Sequence, residues 1–353
     1  MRIAIDTMGG DFGPRATLRG TASALLRDSR LCATLVGPKH LLDAELDSLP
    51  ASLSHARERL QTLAVDGIVA SDARPSRVLR GREPSSMSEA LRLVASGHAD
   101  ACVSGGNTGA LMALAMREVG RVVGVERPAI CAAVPTRGAR PCHLLDLGAN
   151  VEVAPRHLLA FARMGALRCR LLEGVERPRV GLLNVGVESG KGTTQVREAD
   201  ALLASAGEDF DYLGFVEGGE LFSGTLDVVV CDGFVGNIVL KSSEGLAQML
   251  AAQLGDTLAA SWRARLMAWL ARPALARLTR EMDPVRYNGA SLLGLAGVVV
   301  KSHGGATGDG FSFAVTRAAH EAHQQLPVYL AAGMTHASDI EGAVESPKKE
   351  LDK

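Results

Sequence analysis

Short apolar runs along this chain alternate with stretches in which apolar residues recur every third or fourth position. The first pattern predicts buried strands and the second amphipathic helices. Arg2–Asp6 reads as a strand, followed by the turn Thr7-Met8-Gly9-Gly10-Asp11. Leu18, Ala22 and Leu25 predict a helix over Thr17–Leu26, and Cys32–Val36 is a second strand closed by Gly37-Pro38. Residues 39–64 read as helical with a break at Pro50, and the arginine-bearing loop 72–86 reads as solvated. Further strands are predicted over Ala99–Val103, Ile130–Val134, Cys142–Leu147, Val180–Val185, Tyr212–Val216 and Leu226–Cys231. Helices are predicted over Ser88–Ala95, from Ala110 onward, over Pro155–Leu167 and Arg197–Ala206, and through Lys241 and Leu246. A last apolar segment, Ala290–Val300, precedes a closing helix over Phe313–Gln325.

Strands alternating with helices predict an α/β fold with a mostly parallel sheet. The pattern fits a single catalytic domain over 1–333, with a helical hairpin inserted around 245–285. Residues 334–353 turn polar, ending in Lys348, Lys349, Glu350 and Asp352, and are expected to be disordered.

Composition narrows the class. Of 353 residues, 47% are hydrophobic but only 4% aromatic, so the core must be built from Ala, Val and Leu. A net charge of −1 argues against nucleic acid as a partner. The six cysteines form no CxxC pair and mostly sit in apolar runs, as buried free thiols in a reducing compartment would. Arg2 and Asp6 break any secretory signal, and the longest uncharged run, Ala101–Met116, is interrupted by glycines and is no membrane span. A cytoplasmic protein is expected.

The candidate chemistry lies where strands end. Val180–Val185 runs through Asn184 into Gly186-Val187-Glu188-Ser189-Gly190-Lys191-Gly192. Glycines let backbone N–H groups face a ligand, and Lys191 adds a mobile charge, a combination suited to a phosphate-sized anion. It is not a Walker A loop, because only three residues separate Gly186 from Gly190. Ser104-Gly105-Gly106-Asn107-Thr108-Gly109 opens another helix, where free N–H groups attract anions; Asn107 and Thr108 can equally be caps. Asp146-Leu147-Gly148-Ala149-Asn150 and Asp232-Gly233-Phe234-Val235-Gly236-Asn237 end two further strands. In an open parallel sheet such carboxyl ends gather in one crevice. His303, in Lys301-Ser302-His303-Gly304-Gly305, enters the site or is structural.

Residues 257–280 differ in character. Trp262, Leu266, Trp269 and Leu270 share a helical stripe, and Arg263, Arg265, Arg272, Arg277 and Arg280 occur with no acid between Asp256 and Glu281. Three readings stay open: a dimer-forming hairpin, an interfacial membrane helix, or a dock for an acidic protein.

Six stretches together resemble one family, the PlsX-type phosphate acyltransferases of bacterial phospholipid synthesis. They are Asp6–Asp11, Ser104–Ala113, Asp146–Asn150, Leu182–Gly192, Asp232–Lys241 and Tyr287–Gly304, in order along about residues 2–330. The departures are Thr7 and Gly105, where Ala is usual, and Asn288, where Gly is usual.

The resemblance implies a three-layer α/β/α sandwich related to phosphotransacetylases and isocitrate-type dehydrogenases, and a homodimer. It implies transfer of an acyl group from acyl carrier protein to inorganic phosphate, without metal or organic cofactor. The acyl phosphate would pass to a membrane glycerol-3-phosphate acyltransferase, with the enzyme held peripherally at the inner face of the cell membrane. Family alignment places Lys191 and Asn237 in the site.

Phosphate is itself the nucleophile in such a reaction, so the site must align a dianion with a thioester and stabilise an oxyanion. Lys191 and the N–H groups of 104–109 are candidates to hold phosphate, with Asn184 and Gly190 in the lysine loop and Asn150 and Gly236 beside it. Asn237 donates to the oxyanion or orients phosphate. Lys241 or His303 would protonate the thiolate, and Asp146 and Asp232 would orient lysines or cap turns. The alternatives are a phosphotransacylase using acyl-coenzyme A and a non-catalytic scaffold recruited to the membrane.

Overall fold

The computed structural model describes residues 1–81, 83–207, 209–273 and 284–344, with side chains as far as Thr335. Eleven strands form one sheet: β1 (Arg2–Asp6), β2 (Cys32–Gly37), β3 (Leu60–Ala64), β4 (Ala101–Ser104), β5 (Ala129–Val134), β6 (Cys142–Leu145), β7 (Arg179–Leu183), β8 (Asp211–Val216), β9 (Val228–Val230), β10 (Ala290–Leu293) and β11 (Val298–Lys301). Their order is β3-β2-β1-β4-β11-β10-β5-β6-β9-β7-β8.

Seven of the ten pairings are parallel, so the sheet is mostly parallel as expected. The three antiparallel ones, β11–β10, β10–β5 and β5–β6, lie together in the middle. Three reversals make β6, β9, β7 and β8 run opposite to β1, β2, β3, β4 and β11. One row of paired residues crosses this junction: Ile5, Val103, Val300, Ser291, Cys131, Leu145, Val230 and Leu182. Strands of both halves end at or one residue beyond that row, arriving from opposite directions. The loops at their ends therefore form two sets flanking the central strands, not the single crevice of a uniformly parallel sheet.

Helices cover both faces. On one, α4 (Ser86–Ala95), α5 (Thr108–Glu118) and the start of α8 (Gly233–Ala259) cover Cys102, Ile130, Leu144, Val229 and Val299. On the other, α1 (Gly13–Arg27) and α10 (Gly308–His323) cover β1 and β4, while α6 (Pro155–Glu173), α7 (Thr194–Ala204) and α11 (Leu326–Val344) cover β5, β9 and β7. Small residues such as Ala4, Ala101, Ala110, Ala162 and Ala314 are fully buried, letting helices approach the sheet closely in a core poor in aromatics. Among the described residues the remaining α-helices are α2 (Lys39–Asp47), α3 (Pro75–Arg80) and α9 (Trp262–Leu270).

Two sequence expectations change. Residues 39–64 end in the edge strand β3 rather than in helix; Leu60 and Leu63 are only half-buried, so its apolar pattern is weak. Ala290–Val300 is a hairpin turned at Gly294, whose φ is +89°. The last helix, α11, runs to Val344, and Leu326, Leu330 and Met334 bury its first half against α6. The hairpin predicted around 245–285 begins without a boundary, since α8 runs unbroken from Gly233 through Leu246 to Ala259. Arg277 and Arg280 lie outside the described residues. Among the described residues no helix is long and apolar enough to cross a membrane.

Candidate active site

The ends of adjacent strands β6, β9 and β7 bring three predicted loops together. Asp146 is buried and organises the first. Its Oδ1 accepts from the N–H groups of Ile130 and Ala149, and its Oδ2 accepts from the N–H and Nδ2 of Asn150. Desolvation raises its pKa, opposed by these donors. Asn150 also donates from Nδ2 to the Pro128 carbonyl, and its own carbonyl accepts from Gly233 N–H. Asp232 caps α8 by accepting from Val235 N–H at 2.8 Å. Both aspartates thus have structural partners, as turn and cap residues.

Gly236 presses on this loop: a Cβ built there would stand 1.9 Å from the Asp146 carbonyl oxygen. The contact sets Asn237 against Gly148, whose φ of +104° turns the loop beneath the amide. Lys241 lies one helical turn beyond Asn237 on α8 and is exposed.

The lysine loop is held by Asn184, which donates from Nδ2 to the carbonyls of Gly186 and Lys191. Gly192, at φ +89°, sits against the Asn184 amide. Lys191 pairs with Glu188 at 3.2 Å, but both side chains are more than half exposed. Such a pair is worth about 1 kcal/mol or less and leaves the ammonium available to an anion. Gly190 has open space around it.

The 104–109 loop belongs to the other set, with Gly9–Asp11 after β1 and Lys301–Gly305 after β11. Asn107 caps α5, its Oδ1 accepting from Ala110 N–H and its Nδ2 donating to the Ser71 carbonyl. Gly109 packs against Pro75, and Thr108 begins the helix. Ser104 Oγ accepts from Gly106 N–H and donates to buried Asp6 at 2.6 Å. His303 is exposed; its Nδ1 accepts from Gly305 N–H, so Nε2 carries the proton in the neutral ring. Asn288 accepts from His303 N–H and donates to Ser302 Oγ and the Gly310 carbonyl, so this departure from the family pattern ties the His303 loop to α10. Lys191 after β7 and the 104–109 loop after β4, expected to share one phosphate, follow strands separated by β11, β10, β5, β6 and β9. From β4 to β7 is six strand spacings, about 29 Å.

A family model described as "Fatty acid synthesis protein" matches residues 1–329. The chain belongs to this family. It is 50% identical over 328 residues to the phosphate acyltransferase of Pseudomonas putida, covering 93% of this chain and 96% of that one. To the phosphate acyltransferase of Pseudomonas aeruginosa it is 48% identical over 334 residues, covering 95% and 98%. In structure it resembles a phosphotransacetylase from Streptococcus pyogenes, with TM-score 0.59, 16% identity, and 97% and 94% of the two chains covered. The EutD phosphotransacetylase from Staphylococcus aureus gives 0.55, 14%, and 94% of each chain. At these identities the likeness shows the fold, which is the expected α/β/α sandwich.

Within this member of the fatty acid synthesis protein family the five buried thiols make poor nucleophiles. Burial pushes Cys142 up to about 12 and Cys131 up to about 11, and raises Cys102, Cys169 and Cys231 well above the ordinary range. Among the described residues, one metal-like group occurs, His143, Cys169 and Glu173. Arg168 already occupies its neighbourhood, with Nη1 3.1 Å from His143 Nδ1 and 3.5 Å from a Glu173 oxygen. A guanidinium there opposes a cation.

The sequence reading missed Lys301. Its Nζ donates to the Gly105 carbonyl at 3.1 Å and to the Ser302 carbonyl, and desolvation lowers its pKa to about 8 against the pull of Asp6 and Asp11. A lysine closing an apolar strand reads locally as solvated; only the pairing of β11 with β4 brings it to Gly105.

Proposed function

We propose that this chain transfers an acyl group from acyl carrier protein to inorganic phosphate, releasing acyl phosphate and free carrier protein. Relatives about half identical over nearly the whole chain are phosphate acyltransferases, which supports acyl transfer to phosphate as the reaction class. The carrying observation is the convergence of β6, β9 and β7. They present a half-exposed lysine and a carboxamide beside thiols that burial disables. The nucleophile then comes from solution.

In this reading Lys191 holds the phosphate dianion, displacing Glu188. A phosphate oxygen attacks the thioester carbon, and Asn237 donates to the developing oxyanion or orients phosphate. The C–S bond then breaks and sulfur leaves as thiolate. Lys241, on the same face of α8 as Asn237, is better placed to protonate it than His303, which follows β11 in the other set. The 104–109 loop supplies a second polar wall, its helix start presenting N–H groups to anionic parts of the substrates.

We further propose a homodimer, and contact of α8 and α9 with a membrane surface, from which a membrane glycerol-3-phosphate acyltransferase takes the product. Leu246, Met249, Leu250 and Leu254 on α8, and Trp262, Leu266, Trp269 and Leu270 on α9, are exposed and support a covering surface of this kind. Arg263, Arg265 and Arg272 beside them suit acidic lipid or acidic carrier protein.

The test incubates the protein with palmitoyl-carrier protein, titrates phosphate, and counts free carrier thiol together with acyl phosphate. Saturable phosphate dependence is expected. Equal or better turnover with acyl-coenzyme A would favour the phosphotransacylase reading, and no phosphate-dependent thiol release with either donor would leave a scaffold.

A further inference from the structure

Asp6, fully buried at the end of β1, and Lys301, partly buried at the end of β11, are opposite charges on either side of β4, yet the ammonium bonds to carbonyls and the carboxylate to hydroxyls. Between them lies one peptide unit. The Gly105 carbonyl accepts from Lys301 Nζ at 3.1 Å, and the N–H of the same peptide, that of Gly106, donates to Ser104 Oγ at 3.1 Å. Ser104 Oγ donates in turn to Asp6 Oδ2 at 2.6 Å, and Ser86 Oγ donates to Asp6 Oδ1 at 2.7 Å. The peptide is clamped at both ends, by a cation on its oxygen and a hydroxyl–carboxylate pair on its nitrogen.

The glycines let the backbone of Gly9 pack directly against this peptide. A Cβ on Gly105 would stand 2.9 Å from the Gly9 carbonyl oxygen, and one on Gly9 would stand 2.4 Å from Gly106 nitrogen. With no side chains to fix its rotation, the peptide takes its direction from these bonds. Burying an ammonium is costly, and a surface lysine would serve mere solubility as well. A partly buried lysine that joins the Gly105 carbonyl to the Ser302 carbonyl of its own strand end fits a group whose orientation matters.

We propose that Lys301 is a positioning residue for the reaction, fixing the Gly105–Gly106 peptide and through it the polar wall formed by the 104–109 loop. This rests on the acyl-transfer reading given above. It concerns a residue that touches neither substrate in that reading.

The experiment compares Lys301→Met, Lys301→Arg and Ser104→Ala with the wild type in steady-state kinetics on palmitoyl-carrier protein and phosphate, alongside thermal unfolding. Lys301→Met should lose about tenfold or more in kcat/KM, the scale of one charged hydrogen bond. Its unfolding temperature should not fall, since a buried charge has been removed. Lys301→Arg should recover part of the loss, and Ser104→Ala, which releases the other end of the peptide, should move the same constants in the same direction. Wild-type kinetics in Lys301→Met would overturn the proposal, as would a loss matched by a falling unfolding temperature and not relieved by arginine. Should Lys301→Met fail to fold, Ser104→Ala decides: unchanged kinetics there overturns the clamp. An inactive wild type would instead sink the acyl-transfer reading itself.

Discussion

Replacing Gly236 by alanine tests the packing that places Asn237. In an ordinary helix interior Gly→Ala stabilises by roughly 1 kcal/mol, because glycine gives up more backbone freedom on folding. Here the sign should reverse. The new Cβ would fall 1.9 Å from the Asp146 carbonyl oxygen and 2.9 Å from Cys231 Sγ. Real contacts of this kind do not fall below 3.0 Å, so the start of α8 must retreat by about 1 Å. The Asp146 loop cannot yield easily, because its carboxylate is fixed by the N–H groups of Ile130, Ala149 and Asn150. Forcing a methyl into such a space costs about 1–3 kcal/mol. The thermal midpoint should therefore drop by several degrees, on the order of 2–4 °C per kcal/mol or somewhat less for a chain of this length. Activity should fall further, since a displacement of about 1 Å at a reacting group costs on the order of a hundredfold in rate. Gly190→Ala is the control, with open space around it and an expected near-wild-type midpoint. The assay is a thermal scan with phosphate-dependent thiol release on the same samples. A Gly236→Ala protein with wild-type midpoint and turnover would refute the contact and the role it gives to α8.

Lys191→Ala should leave the fold intact and lower turnover on the order of a hundredfold, about 2.7–4 kcal/mol of transition-state stabilisation; near-normal phosphate kinetics would remove it from the site. Asn237→Ala should lower kcat with little change in phosphate KM if the amide serves the oxyanion, or raise that KM if it holds ground-state phosphate; no change in either would reduce it to a structural residue. Lys301 has a depressed pKa, about 8 against an unfolded 10.5, with Asp6 and Asp11 pulling the other way. The cost of burying its charge is thus fully present below pH 8 and relieved as pH rises toward 10.5, at most ~3 kcal/mol. Unfolding temperatures of wild type and Lys301→Met should converge over that range, and a difference independent of pH would contradict it. Trp269→Glu should weaken sedimentation with anionic liposomes while activity on soluble acyl-carrier protein survives; normal liposome binding by a mutant of unchanged size on gel filtration would exclude α9 as the contact.

Much of the architecture is written in local pattern. Apolar runs such as Ile130–Val134 and Val180–Leu183 are buried on both faces and could only be strands of a covered sheet. Asp232 and Asn107 each announce a helix start, and both cap one. The glycine loops after β6, β9 and β7 were visible because polar, Cβ-free residues directly after an apolar run are rare except at turns or sites. Strand direction was not visible. An apolar run reads the same whichever way it lies, and the reversal through β10 and β5 depends on which strands pair. Pairing is a choice among distant segments, made by the whole core at once.

The sequence by itself therefore determined the class of fold, the small-residue core and the loops that carry chemistry, because periodicity and glycine placement act over a few residues. Tertiary structure alone decided that those loops form two sets across a central antiparallel junction. It also chose turn anchoring over lysine orientation for Asp146, and gave Lys301 a peptide to hold. Each of these depends on a partner tens to hundreds of positions away, such as Asp6 and Ser104 or Gly105 and Lys301. Such partners meet only when a folded sheet sets strands about 4.8 Å apart.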